Sequence, residues 1–313
     1  MPARNIPLPV SISAEAQMAL SVNAAEIGDY PALGDLAAWR AWVAERDEQI
    51  TPLLEAAVEQ IAAKTEERTV DGVPITVVVP AGAEADGRVV LDLHGGALIL
   101  LGGRASAAMA LLSAQRTRMV TWAPDYRMPP DHPFPAALDD CVAVYRHLIG
   151  EVDASQVVLS GASAGGNLAA ATMLRAKEEQ LALPAALILQ TPEVDLTESG
   201  DTFATNLGID NVLRPLRPVN DLYAAGADLR HPHLSPLFGD LAGFPPTLLA
   251  SGTRDLFLSN TVLMHRALRR ASVEAELHVL EAGPHGGFMG LAPEDHELDA
   301  EIRSFIDRHC PPH

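Results

Sequence analysis

The chain has 313 residues, 48% of them apolar and 20% charged, with a formal net charge of −19. That balance describes a globular protein able to bury a substantial core, and an acid excess of this size repels phosphate backbones and anionic lipid, which sets nucleic acid and membrane surfaces aside as partners. Apolar runs such as 97–101 and 185–189 are far too short to span a bilayer.

The opening decapeptide carries Pro2, Pro7 and Pro9 and no apolar segment of signal-peptide type, so the expected location is cytoplasmic. Residues 35–46 and 52–64 have apolar positions at helical spacing and predict two helices. The period then changes: 67–70, Asp71-Gly72 and 73–79 read as strand, tight turn, strand. Strands and helices alternate from there, with strands at 89–93, 119–123, 157–160, 185–190, 247–251 and 275–280. Helices are expected at 104–118, 135–149, 165–179, 259–271 and 294–309. Short Val/Leu/Ile strands interleaved with helices imply an α/β fold, a mostly parallel central sheet flanked by helices, with functional groups at the carboxyl ends of the strands. The stretch 197–244, rich in Pro, Asp and Gly, interrupts the rhythm and reads as an insertion. Cys141 and Cys310 form no disulfide framework and no zinc-ligand spacing, and are expected to be buried free thiols.

Gly161-Ala162-Ser163-Ala164-Gly165 matches G-x-S-x-G between a predicted strand and a predicted helix. A sharp strand-to-helix turn lifts a serine oxygen clear of the backbone, and the helix N-terminus offers N–H groups to developing negative charge. His94-Gly95-Gly96-Ala97 directly follows strand 89–93, in the position and composition of a loop that binds a tetrahedral oxyanion through backbone N–H groups. His94 precedes that loop and is expected to hold its shape rather than to act as a base.

On these residues, and on 125–137 and Pro192-Glu193-Val194-Asp195-Leu196-Thr197, the chain resembles the hormone-sensitive-lipase-like esterases of the α/β-hydrolase fold from about Val73 to Phe288. Three positions depart from the family pattern: Ala162 before the nucleophile, Ala97 in place of a third glycine, and Glu193 where a large aromatic is frequent. The resemblance implies a serine carboxylesterase acting on small apolar esters with no metal or organic cofactor; a lactone or amide hydrolase with the same residues and a non-catalytic small-molecule receptor on the same fold are the alternatives. It also implies a helical cap over the site, built here from 1–50 and 197–227, with the run 97–101 lining a substrate pocket. A homodimer is compatible with the sequence.

Chain order in this fold is serine, acid, histidine. His285 lies in a glycine-rich loop, 282–288, after the last strand, and Asp255 follows strand 247–251 thirty residues earlier. The expected triad is therefore Ser163, His285 and Asp255, with Gly95, Gly96, Ala97 and Ala164 as the oxyanion hole. Asp195 and Glu193, after the preceding strand, are the rival acids. Asp125 and Arg127 are read as a structural ion pair and turn network. His231, His233, His265 and His278 are read as surface or structural.

Overall fold

The computed structural model describes residues 6–21, 29–83 and 86–312. Its centre is an eight-stranded sheet in the order β1-β2-β4-β3-β5-β6-β7-β8. The strands are β1 (Ala63–Val70), β2 (Val73–Pro80), β3 (Val89–Leu93), β4 (Val120–Pro124), β5 (Val157–Ala162), β6 (Ala186–Gln190), β7 (Thr247–Gly252) and β8 (Ala275–Leu280). Strand β2 runs antiparallel to both its neighbours, and every pairing from β4 to β8 is parallel. Asp71 and Gly72 both take positive φ, 49° and 86°, as a two-residue turn matched to the strand twist requires.

Strand β1 is longer than the sequence pattern indicates, because Ala63 to Val70 pair residue for residue with Pro80 to Val73. Its exposed Lys, Glu and Arg side chains guard the sheet edge against further pairing. The two expected N-terminal helices are one, α2 (Leu36–Val58), which continues through Pro52. Loss of one backbone hydrogen bond at the proline is outweighed by packing of the face that buries Trp39, Thr51 and Val58. Residues 63–64 leave the helix for the strand.

Helices α3 (Arg104–Thr117), α4 (Ala136–Glu151), α5 (Ala164–Glu178), α8 (Leu258–Arg270) and α9 (Pro293–His309) lie where the apolar periodicity put them, to within two residues. Three short helices were not foreseen: α1 (Ala14–Ser21), α6 (Thr202–Thr205) and α7 (Arg217–Ala224). The main core packs Leu91, Leu93, Leu159, Leu187 and Leu189 against α4 and α5 on one sheet face. Val90, Val158, Ile188 and Leu248 pack against Phe305 and Ile306 of α9 on the other. Both cysteines are buried and unpaired. No helix among the described residues is long and apolar enough to cross a membrane.

The order β4-β3-β5 places the reversal of winding between β3 and β5, so a crevice opens at their carboxyl ends. Leu93 and Gly161 are paired there. The loop at 94–97 and the turn at Ser163 therefore leave adjacent strands side by side.

Candidate active site

Ser163 sits at the tip of a strained turn, φ 56° and ψ −120°, between β5 and α5. The flanking glycines are dictated by close approach. A methyl group on Gly161 would lie 2.2 Å from the Gly165 carbonyl oxygen, and one on Gly165 would lie 1.8 Å from that of Leu93. Ser163 Oγ donates to His285 Nε2 at 2.9 Å, and His285 Nδ1 donates to Asp255 Oδ1 at 3.0 Å. Asp255 is fully buried and held from both sides: Ser251 Oγ donates to Oδ2 at 2.6 Å and the Phe257 N–H to Oδ1 at 2.8 Å. Phe257 meets the His285 ring edge-on, with centroids 4.9 Å apart. Burial pushes the His285 imidazolium down, but the Asp255 carboxylate, with Asp210 beside it, outweighs burial and raises its pKa.

The rival acids are placed elsewhere. Asp195 is buried and closes its own turn, accepting from the Thr197 N–H at 2.9 Å, Thr197 Oγ1 at 2.6 Å and Ser199 Oγ at 2.6 Å. Glu193 donates its N–H to the Ser163 carbonyl at 3.2 Å, and its side chain accepts from Asn220.

Gly95 packs directly under the serine turn, where a methyl group would come within 3.5 Å of Ser163 Cβ. The N–H groups of Gly96 and Ala97 donate to no partner among the described residues, and Ala164, the first residue of α5, has no intrahelical acceptor. The Gly96 carbonyl closes the loop by accepting from Ile99 and Leu100 at 3.1 and 2.9 Å. Ala97 has φ 53°, so the methyl group sits on a left-handed backbone instead of the ordinary one that an alanine suggests. His94 braces the loop: its Nδ1 donates to the Gly95 carbonyl at 2.7 Å, its ring stacks on Tyr126 at 4.1 Å, and Tyr126 donates to its carbonyl at 2.6 Å. Burial holds its imidazole neutral, with the pKa lowered.

The run 97–101 divides. Leu98 enters the sheet core, while Ala97, Ile99 and Leu100 join a second cluster with Trp39, Trp42, Phe203, Leu216, Val219, Leu222 and Phe257. That cluster ties α2 and the 203–222 segment to the acid loop. Helix α1 packs elsewhere: Ile12 and Ala16 pack on Ala282 and Phe288 of the histidine loop, and Ser13 bonds Glu294. Of the N-terminal segment expected in the cap, residues 1–5 and 22–28 lie outside the described residues.

Arg127 is ion-paired as expected, but with Asp140 of α4 at 2.7 Å, because Asp125 instead accepts from the Gly103 N–H at 2.9 Å. Two residues that the sequence pattern did not single out belong to the site. Asp210 Oδ2 accepts from the Leu256 N–H at 2.8 Å, and Oδ1 accepts from the N–H groups of Val212 at 2.9 Å, Leu213 at 3.1 Å and His285 at 3.5 Å. Asn206 donates to the carbonyls of Asp255 at 2.8 Å and Thr253 at 3.2 Å. Both lie in the insertion, where no motif marks them. Their signal is a polar residue facing the acid loop across some fifty positions of sequence, which spacing alone does not reveal. Among the described residues no group of three or more His, Cys, Asp or Glu side chains is arranged to hold a metal ion.

A sequence profile for the alpha/beta hydrolase fold matches residues 90–289. An acetyl-hydrolase of Streptomyces hygroscopicus is 35% identical over 65% of this chain and 71% of its own. An esterase of Acinetobacter venetianus is 31% identical over 70% and 74%. Among solved structures, esterase E25 superposes with a TM-score of 0.91 at 35% identity, covering 98% of this chain and 97% of its own. An esterase of the bacterial hormone-sensitive lipase family gives 0.81 at 28% identity over 96% and 100%. The chain belongs to the α/β-hydrolase family, as a hormone-sensitive-lipase-like esterase. Its enzyme class is carboxylic ester hydrolase.

Proposed function

We propose that the protein hydrolyses small apolar carboxylic esters through an acyl-serine intermediate on Ser163. Ser163 Oγ attacks the ester carbonyl carbon as its proton passes to His285 Nε2, and the imidazolium gives that proton to the departing alcohol. Water then attacks the acyl-enzyme by the same route, releasing the carboxylic acid and returning the proton to Ser163. Asp255 fixes the imidazole tautomer and stabilises the imidazolium without taking the proton. The N–H groups of Gly96, Ala97 and Ala164, with Gly95 supporting the turn, hold the oxyanion. The observation that carries this reading is the unbroken hydrogen-bond chain from Ser163 Oγ through His285 to the buried Asp255, at 2.9 and 3.0 Å.

Preference for small apolar substrates is supported by the aromatic cluster of Trp39, Trp42, Phe203 and Phe257 beside Ala97. In this reading α2 and the 197–227 segment form the cap. The test is twofold. An organophosphonate should label wild type at Ser163 and leave Ser163→Ala unlabelled. A panel of nitrophenyl esters from acetate to decanoate, run beside a lactone and an anilide, should give the highest kcat/KM on a short acyl ester. Faster turnover of the lactone or the anilide would overturn the ester reading.

A further inference from the structure

Glu193 and Asn220 are each fully buried, and each has one unpartnered oxygen, Glu193 Oε2 and Asn220 Oδ1. The two side chains already share a hydrogen bond, Asn220 Nδ2 to Glu193 Oε1 at 2.9 Å. Both groups are planar and offer two polar atoms side by side. With that bond made, each side chain keeps one buried acceptor that no donor reaches. Two buried acceptors cannot satisfy each other, and leaving both without a partner is costly. One proton on Glu193 Oε2 resolves both at once, by donating to Asn220 Oδ1.

We propose that Glu193 is held as a carboxylic acid in a two-bond acid–amide clamp with Asn220, and that it serves as a positioning residue for the Ser163 reaction. The clamp joins two parts of the site. Glu193 stands on the loop after β6 and donates its N–H to the Ser163 carbonyl, and its own carbonyl accepts from Asn167 of α5 at 2.7 Å. Asn220 stands on α7, whose Val219 and Leu222 enter the aromatic cluster, and it also bonds the Leu196 carbonyl at 3.2 Å. The clamp therefore pins α7 to the backbone that carries the nucleophile.

The surroundings agree on the proton. Burial raises the Glu193 pKa to about 8, with Glu198 and Asp195 on its own segment adding repulsion, and Asn220 and His285 working against the rise. From the N-terminal segment Tyr30 also faces it, with the Arg214 guanidinium stacked 3.8 Å from the Tyr30 ring centre. A carboxyl whose folded-state pKa is raised contributes stability that is complete below its unfolded-state value. That contribution is lost as pH rises through about 8.

This inference rests on the proposed Ser163 mechanism for its activity readout but not for its structural one. Glu193→Ala should lower kcat/KM by about tenfold or more, the scale of a buried hydrogen-bonded pair undone. Glu193→Gln should restore it, because an amide donates to Asn220 Oδ1 as the acid does. Wild type should also lose kcat/KM between pH 7 and 9 through an ionisation near pH 8 that is missing from Glu193→Gln. The independent arm uses Ser163→Ala protein, whose thermal midpoint should fall across that pH range while Ser163→Ala/Glu193→Gln stays level. Difference infrared spectra of the same pair should contain a protonated-carboxyl stretch at pH 7 that the glutamine removes. A Glu193→Gln variant as impaired as Glu193→Ala, or a pair with the same thermal profile and no carboxyl band, overturns the clamp whatever the fate of the Ser163 mechanism.

Discussion

The serine turn and the 197–244 insertion both converge on His285, by opposite means. The turn is local: between β5 and α5 the backbone at Gly161 and Gly165 is so closely approached that a methyl group on either would lie 2.2 or 1.8 Å from a carbonyl oxygen. The insertion acts at a distance, with Asp210 on the N–H groups of Leu256 and His285 and Asn206 on the carbonyl of Asp255. The first arrangement permits few residues and so writes a motif. The second needs only a hydrogen-bonding side chain somewhere on a folded loop, so it leaves no recognisable pattern. A site can thus be half conspicuous and half silent while both halves bear on one imidazole.

The sharpest break between the two regions comes from the reacting chain itself. Ser163→Ala should lower kcat by on the order of 10⁶ with the fold intact, and His285→Ala by about as much. Stopped turnover together with an unchanged circular dichroism spectrum checks both. Asp255→Asn should cost about 10⁴, because the amide favours the wrong imidazole tautomer. Asp195→Asn should leave kcat near wild type and cost only its turn bonds. The reverse ranking of these two asparagine variants in a steady-state assay would move the acid to the loop after β6.

The insertion should register more weakly and chiefly through pH. The pKa of His285 is raised by Asp255 and Asp210 against the effect of burial. In the proposed mechanism His285 must be neutral to accept the Ser163 proton, so activity should be lost as pH falls through that raised value. The stability gained from the charged imidazole runs the other way: it is complete below the unfolded-state value and lost as pH rises through the folded one. Asp210→Asn removes one of the carboxylates facing His285 and should move the acid limb of kcat/KM to lower pH. It should also cost about 2 kcal/mol in urea unfolding through lost charge-assisted bonds to backbone N–H groups. An acid limb unmoved by Asp210→Asn would confine the insertion to a purely structural role.

The smallest effect is expected at Ala97. In the proposed mechanism its N–H, not its methyl group, serves the oxyanion, so Ala97→Gly should change kcat far less than the roughly 10²–10³ that follows loss of a donor. With φ at 53°, glycine relieves a left-handed strain of about 1 kcal/mol while adding freedom to the unfolded chain, and the two nearly offset. Urea midpoints should differ little, and the ratio of activities on primary-alcohol and tertiary-alcohol acetates should shift toward the bulkier ester. A collapse of both activities would mean that the methyl group does more than occupy space.

Most of the sheet and the large helices are legible in the sequence, since a buried parallel strand must be a short apolar run and a covering helix must carry a 3.6-residue stripe. Ser163, His285 and the loop at 94–97 are legible for the same reason: each is held by small residues at strand ends. Helix continuity through Pro52 was not, because propensity at one residue gives way to the tertiary packing of Trp39 and Val58. The left-handed Ala97 was not, because alanine is ordinarily a sign of φ below zero. The sequence pairs Arg127 with Asp125, but nearness in sequence says less than the return of α4, which brings Asp140 to the guanidinium.

Asn206 donating to the Asp255 carbonyl bears on the construction of chimaeras. Surface insertions in this fold invite exchange between relatives as a way to transplant substrate preference. Here the exchangeable segment also supplies part of the lattice that holds the acid, through Asn206 and Asp210. A graft cut at 197 and 244 would import a new surface and unfasten a wall in the same step. The hybrid would then be slow for a reason unrelated to its new pocket, unless the donor brought its own two polar side chains to the same backbone groups.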